Sequence, residues 1–327
     1  MRPLQKMRSG FLLAFLLLLL PLTDLSAMQN QTLVNAQQKE KSLKLFLAGD
    51  VMLGRGIDQA MKVSVDPVLY EAYIKDARDY IKLAERKNGK LHLPLAYEHI
   101  WGDALKVWNK EAPQLKFINL ETAVTTSSDA WPGKGIHYRM HPQNVKSLTA
   151  AGIDHVSLAN NHVLDWGRSG LLETINSLKN CGIKFSGAGK NAEAAQKPAV
   201  LPLKNARILI FSYGSPSSGI PAAWAAEADK SGVNYLPNLD EKELSKLRRS
   251  IQNFEKPGDL IIFSVHWGGN WGYKISEDKK VFAHRLIDEA GIDLVFGHSS
   301  HHPLGIEVYK NKLILYGAGD FFNDYEG

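Results

Sequence analysis

Apolar residues come along this chain in short runs that stop at polar side chains able to do chemistry. Leu45-Phe-Leu-Ala-Gly ends at Asp50, Phe117-Ile-Asn-Leu at Glu121, and Val156-Ser-Leu-Ala at Asn160-Asn161-His162. Leu260-Ile-Ile-Phe-Ser-Val ends at His266, and Asp293-Leu-Val-Phe-Gly at His298, with Ser-Ser-His301-His302 following. Short apolar runs bounded in this way read as buried strands. Between them the apolar period lengthens to that of helices over 144–151, 168–179, 240–254 and 277–290, set against strands over 154–159, 184–186, 259–265 and 293–296. Helical crossovers between short buried strands predict parallel βαβ units, hence an α/β fold. Open sheets of this class bind their ligands at the carboxyl ends of the strands, where these polar residues stand.

The remaining segments follow the same logic. Asp66 as N-cap and Pro67 in the first turn predict a helix over 66–88, and a second helix over 97–110 would put Trp101 and Trp108 on one side as core. Residues 199–213 predict a hairpin-like pair in a second sheet, turning at Lys204-Asn-Ala, and 305–309 with 312–316 predict another across Lys310-Asn311. The loop 122–135 leads to His137, Arg139 and His141, which could lie over a cleft or be ordinary loop residues. Asn160-Asn161-His162 likewise has two readings: an Asx-type turn, or a functional triplet held at a strand's end.

Composition narrows the class. With 44% hydrophobic and 22% charged residues in 327, the chain is an ordinary globular protein of one or two domains. Its N-terminus is separate: Arg2, Lys6 and Arg8 precede the apolar run 11–20, and Leu25-Ser-Ala27 offers a small-residue cleavage site. Residues 1–27 therefore read as an export signal, with a retained membrane anchor as the alternative, and the polar stretch 28–42 as a tether to a domain over 43–327. Removing Arg2, Lys6, Arg8 and Asp24 leaves 36 Lys and Arg against 33 Asp and Glu, or +3, an excess too small to predict nucleic-acid binding. Cys181, the single cysteine, cannot form an internal disulfide and reads as a buried thiol at a helix end. Any metal site must then use nitrogen and oxygen ligands. No closing helix follows Gly319-Asp320-Phe-Phe-Asn-Asp-Tyr-Glu-Gly327, so the protein is expected to continue beyond it.

Asp50, Glu121, Asn161, His266, His298 and His301 together form such a ligand set, suited to zinc, manganese or iron more than to calcium. At these residues the sequence resembles the CapA family of poly-γ-glutamate capsule synthesis proteins, related to the calcineurin-like metallophosphatases. The resemblance is carried by Gly49-Asp-Val-Met-Leu-Gly-Arg55, Asn119-Leu-Glu121, Ser157-Leu-Ala-Asn-Asn-His-Val-Leu-Asp165-Trp-Gly, Val265-His-Trp-Gly268, Gly297-His-Ser-Ser-His301 and Tyr316-Gly-Ala-Gly-Asp320-Phe, and spans residue 43 to the end.

It implies a four-layer αββα sandwich of the metallo-dependent phosphatase type, holding two divalent ions (Mn, Zn or Fe). Asp50, Glu121, Asn161, His266, His298 and His301 would be the metal ligands. His162 would be the catalytic histidine protonating the leaving group, with Asp165 or Arg55 orienting it or the substrate. Met52 stands where the phosphatase motif has histidine, and the bridging Asp is here Glu121, so one ion is expected to bind weakly. Such a pair of ions activates water for in-line attack on a phosphoester, although the same water could attack a γ-glutamyl amide. The resemblance thus implies an exported hydrolase, periplasmic or extracellular, acting in capsule or other cell-envelope polymer biosynthesis. Its expected partners are an anionic polymer or phosphoester substrate, the capsule-synthesis machinery and, through the N-terminus, the membrane. The alternative is a non-catalytic scaffold for holding or exporting the polymer. The aromatic group Trp267, Trp271 and Tyr273 could stack on a polymer or sugar, or simply pack the wall of the site.

Overall fold

The structure, a computed structural model, describes residues 43–324; the expected leader, tether and final residues lie outside these. Its strands in chain order are β1 (Leu45–Val51), β2 (Leu115–Leu120), β3 (Ala123–Val124), β4 (Arg139–Met140), β5 (His155–Ser157), β6 (Lys184–Ser186), β7 (Ala188–Gly189), β8 (Ala199–Pro202), β9 (Arg207–Gly214), β10 (Gly232–Val233), β11 (Leu260–His266), β12 (Leu294–His298), β13 (Ile306–Tyr309), β14 (Lys312–Leu315) and β15 (Asp320–Phe322). Five of them form a sheet in the order β15-β1-β2-β5-β6, parallel throughout. Six more form a second sheet, β13-β14-β12-β11-β9-β8, whose four inner strands are parallel. Its two edges are the expected hairpins, β8 with β9 and β13 with β14, the latter turning through Lys310 and Asn311 at positive φ.

Residue alternation along the strands decides which face each side chain takes. In the second sheet, Leu209, Phe211, Ile261, Phe263 and Val265 pack against Leu244, Leu247 and Ile251 of the helix Glu241–Gln252 and Phe282 and Leu286 of the helix Glu277–Ala290. In the first, Ile118, Leu120 and Val156 join Leu171, Ile175 and Leu178 of the helix Gly167–Asn180. The alternate residues turn inward, so that Ser186 of one sheet meets Ser212 of the other, Oγ to Oγ at 2.7 Å. The protein is therefore a mixed α/β sandwich, two facing sheets with helices outside. Among the described residues no helix is long and apolar enough to cross a membrane.

Three local expectations need correction. The helix expected over 66–88 is only Arg78–Asn88. Asp66 and Asp76 spend their carboxylates on local turns, accepting from the amides of Val68 and Arg78 at 2.9 Å, and the loop between them carries Glu71 inward to Arg55. The helix expected over 97–110 is divided at Gly102, whose φ of 49° no helix can hold, into the 3₁₀ turn His99–Trp101 and the helix Ala104–Glu111. Trp101 and Trp108 are nonetheless both buried, ring centroids 5.5 Å apart. Cys181 is exposed, because the helix ends on it just before Gly182 turns the chain.

Candidate metal centre

The first sheet gathers carboxylates and the second gathers imidazoles. Asp50 sits in β1 opposite Asp320 of β15 on one side and Asn119 of β2 on the other. Glu121 follows β2 directly, and all three acids face one another. The close approach of β15 depends on Gly49: a Cβ there would lie 2.0 Å from the Gly319 carbonyl oxygen, which accepts from the Asp50 amide at 2.9 Å. In the second sheet His266 and His298 are register partners on β11 and β12. Donor atoms of Asp50, His266 and His298 lie within 4.8 Å of one another, as do those of Asp50, Glu121 and Asp320. Asp50 is common to both groups.

Hydrogen bonds fix the orientation of these side chains. Asp50 accepts from Asn119 Nδ2 at 2.8 Å and from the Ser299 amide at 3.1 Å. His266 Nε2 meets Asn161 Oδ1 at 3.0 Å, so it carries the hydrogen and leaves Nδ1 as acceptor. The His298 Nδ1, 2.8 Å away, then donates to it, and His298 Nε2 accepts from Ser264 Oγ at 2.9 Å. Shifting the His298 proton to Nε2, where the Ser264 hydroxyl can accept instead of donate, would free both Nδ1 atoms for a cation.

The donor set fits a cation. Asp50 and Glu121 are buried, and burial raises both, Asp50 to about 8 with Asp320 adding repulsion and Glu121 further pushed by Asp50 and Asp320. Asp320 is raised too by burial, and its Oδ1 is buried with no hydrogen-bond partner among the described residues. Burial lowers His266, with His298 the next cause, and lowers His298 to about 3, so both rings are neutral and able to ligate. Acids crowded out of water beside neutral imidazoles leave a charge deficit that divalent ions would fill.

Beside this centre His162 is held as part of a polar cluster. Its Nδ1 lies 2.6 Å from Asp165 Oδ2, and Asp165 also accepts from the Tyr138 amide at 2.7 Å and from Lys134 Nζ. Burial opposes ionisation of Asp165, but His162 and Lys134 hold it below the ordinary carboxylate range. An ionised acceptor requires the hydrogen on Nδ1, which leaves Nε2 facing Glu121 Oε1 at 3.8 Å. Burial lowers His162 to about 4, with Lys134, 3.2 Å from Nδ1, contributing to the depression.

The structure thus brings together Asp50, Glu121, Asn161, His162, Asp165, His266 and His298. His301 stands at the margin, Nδ1 3.7 Å from Asp320 Oδ2. Arg55 lies a layer behind: buried, paired with Glu71 and Asp324, its guanidinium 4.8 Å from the Tyr138 ring, which stacks on His162 at 4.0 Å. His137 bonds the Trp131 carbonyl and His141 caps a turn at Gln143, so neither joins the centre. Met52 is buried, its sulfur accepting from the Gly54 amide at 3.1 Å. Asn160 performs the turn weighed for the triplet, its Oδ1 accepting from the His162 amide at 3.1 Å. Its neighbours Asn161 and His162 carry the polar groups of the site.

Residues 44–325 match the family described as Bacterial capsule synthesis protein PGA_cap, a stretch running from β1 past β15. The chain belongs to this family. In keeping with membership, the PGA_cap chain is 44% identical over 285 residues to a probable polyglutamine synthesis accessory protein of Mycobacterium tuberculosis, covering 86% of this chain and 75% of that one. It is 25% identical over 292 residues to the capsule biosynthesis protein CapA of Bacillus anthracis, covering 89% and 62%. It is 27% identical over 284 residues to the PGA biosynthesis protein CapA of Bacillus subtilis, covering 86% and 63%.

Asp320, Asn119 and Lys134 were missed as site residues by reasoning from sequence. Asp320 had a signal, since the run Leu313-Ile-Leu-Tyr316 also ends in glycines and an acid. Asn119 is hidden inside an apolar strand, and nothing distinguishes one loop lysine from another.

Proposed function

We propose that this PGA_cap protein is an exported, metal-dependent hydrolase that cleaves a phosphoester in the making of poly-glutamate capsule or another cell-envelope polymer. The observation that carries the reading is the meeting of Asp50, Glu121 and Asp320 with His266 and His298 beside a histidine already oriented by a carboxylate. The names of the relatives support the process, and the basic-apolar leader in the sequence supports export.

Asp50, His266 and His298 would hold one divalent ion, and Asp50, Glu121 and Asp320 a second, oxygen-ligated and weaker one, with Met52 unable to replace an imidazole. Such ions acidify water and neutralise charge on a phosphoryl group. Asp165 keeps the hydrogen on His162 Nδ1, so that Nε2 handles the proton at the scissile oxygen. Tyr138 fixes the ring plane from one face. Lys134 bridges Asp165 to the Asn161 carbonyl and so couples the proton-handling histidine to the ligand beside it.

Purified protein loaded with manganese or zinc and given an aryl phosphodiester tests this. Turnover abolished by His162→Ala at unchanged metal content is expected. No turnover, with retained binding of a glutamate polymer, would favour the scaffold reading that the Met52 substitution supports, and shortening of γ-linked glutamate oligomers would redirect the proposal to amide hydrolysis.

A further inference from the structure

Trp267, Trp271 and Tyr273 follow one another closely but have different fates. Trp267 is buried, its Nε1 donating to the Tyr316 carbonyl at 3.0 Å, and serves as wall. Trp271 and Tyr273 are 74% and 78% exposed. What holds them is the pair His301-His302: Trp271 lies edge-on to His301 at 5.2 Å and stacked with His302 at 6.2 Å, and Tyr273 lies 4.3 Å from the His302 ring. The same His301 approaches Asp320 of the centre to 3.7 Å. The ring strip therefore begins one side chain from a ligand carboxylate and runs outward. Its backbone is bare: among the described residues, chain neighbours aside, no atom lies within 4 Å of a Cβ built on Gly269 or Gly272.

We propose that Trp271, Tyr273 and His302 form a subsite that stacks on a ring-bearing part of the substrate, a sugar ring or a heterocyclic base. Its place next to the scissile bond rests on the hydrolase reading; its capacity to bind does not. Large aromatic faces left in water gain free energy when a flat or apolar-faced ring covers them. Along the chain no charged side chain stands between Trp267 and Tyr273; Lys274 follows, and Lys279 Nζ lies 5.6 Å from the Trp267 ring at the buried end, two single cations and not a row. A run of carboxylates would need a row of cations to recognise it. The strip offers planar surface instead, which selects a ring over a polyanionic chain.

The full chain, loaded with manganese, is titrated calorimetrically with three probes: an N-acetylglucosamine oligomer, adenosine monophosphate and a γ-linked glutamate oligomer. Binding of the sugar or the nucleotide is expected, and which of the two binds names the source of the ring. Trp271→Ala and Tyr273→Ala should each weaken it about fivefold or more at unchanged metal stoichiometry. Where turnover is found, KM for a ring-bearing phosphodiester should rise more than kcat falls. Absent turnover with ring binding still lost in Trp271→Ala removes the hydrolase reading and upholds the subsite. Native-like ring binding in both variants, no ring binding by the native protein, or a Trp271 dependence confined to the glutamate oligomer overturns it.

Discussion

His266 and His298 stand side by side on neighbouring parallel strands with their Nδ1 atoms 2.8 Å apart, both buried and both 3.8–4.0 Å from Asp50 Oδ1. Two imidazoles and an acid in that arrangement are costly to bury unless an ion repays them, so this centre should weaken the metal-free protein and strengthen the loaded one.

Glu121 shows that cost most directly, because its carboxylate is buried and pushed upward by burial and by Asp50 and Asp320. Glu121→Gln removes the charge at nearly constant shape. Metal-free, the variant should be about 1–3 kcal/mol more stable, a rise of a few degrees in Tm, while binding at least one ion fewer. Calorimetric melting with and without chelator, alongside metal analysis, checks both halves; a less stable metal-free variant would contradict it.

The metal-free protein should also have an acid-side stability optimum. Asp50, with its folded pKa raised to about 8, contributes stability that is complete below about 4 and lost as pH rises toward 8. His155 and His298, lowered by burial to about 3, work oppositely: their stability is complete above about 6.5 and lost as pH falls toward 3. Tm measured in chelator should peak near pH 6.5 and fall on either side. Adding manganese should raise the alkaline limb most, because a cation stabilises ionised Asp50 and Glu121.

Gly49→Ala should damage fold and site together. Its Cβ would meet the Gly319 carbonyl, and backbone cannot step aside as a flexible side chain can. Separation of β1 from β15 should cost about 2–4 kcal/mol in urea unfolding and lower affinity for the more weakly held ion, since Asp320 would be displaced. Native-like metal binding in a folded Gly49→Ala protein would show that β15 is not needed for the centre.

Arg55 separates a structural from a chemical role. Both its carboxylate partners are buried, Glu71 at 2.8 Å and Asp324 in still closer contact. Arg55→Leu strands two acids in the interior and should cost about 3–5 kcal/mol. Arg55→Leu paired with Glu71→Gln and Asp324→Asn should recover much of that stability, and with it metal binding. A triple variant that folds and binds metal yet has no turnover would instead give Arg55 a part in the chemistry.

Much of the architecture could be read from the sequence because the apolar run of a buried strand, as in Leu260–His266, and the period of a helix that buries one face, as in Glu277–Ala290, are strong signals. Reading failed where short-range bonding overrode the period. Asp66 looks like a helix start but closes a turn, and Gly102 interrupts a pattern that Trp101 and Trp108 otherwise keep in phase. Within the site, residues that end apolar runs were visible. Asn119, lying inside its strand, and Lys134, held only by distant partners, could be placed only by the fold.

The return of β15 to the sheet begun by β1 sets an order of events. Asp50, Glu121 and Asn161 are synthesised early, His266 and His298 much later, and Asp320 last of all, yet Asp320 docks against the first strand. An emerging polypeptide therefore cannot bring Asp320 to Asp50 and Glu121 until this late strand has closed the edge of the oldest sheet. On the proposed reading, the ion held by Asp50, His266 and His298 could enter before β15 docks, while the one that needs Asp320 would have to wait for that strand.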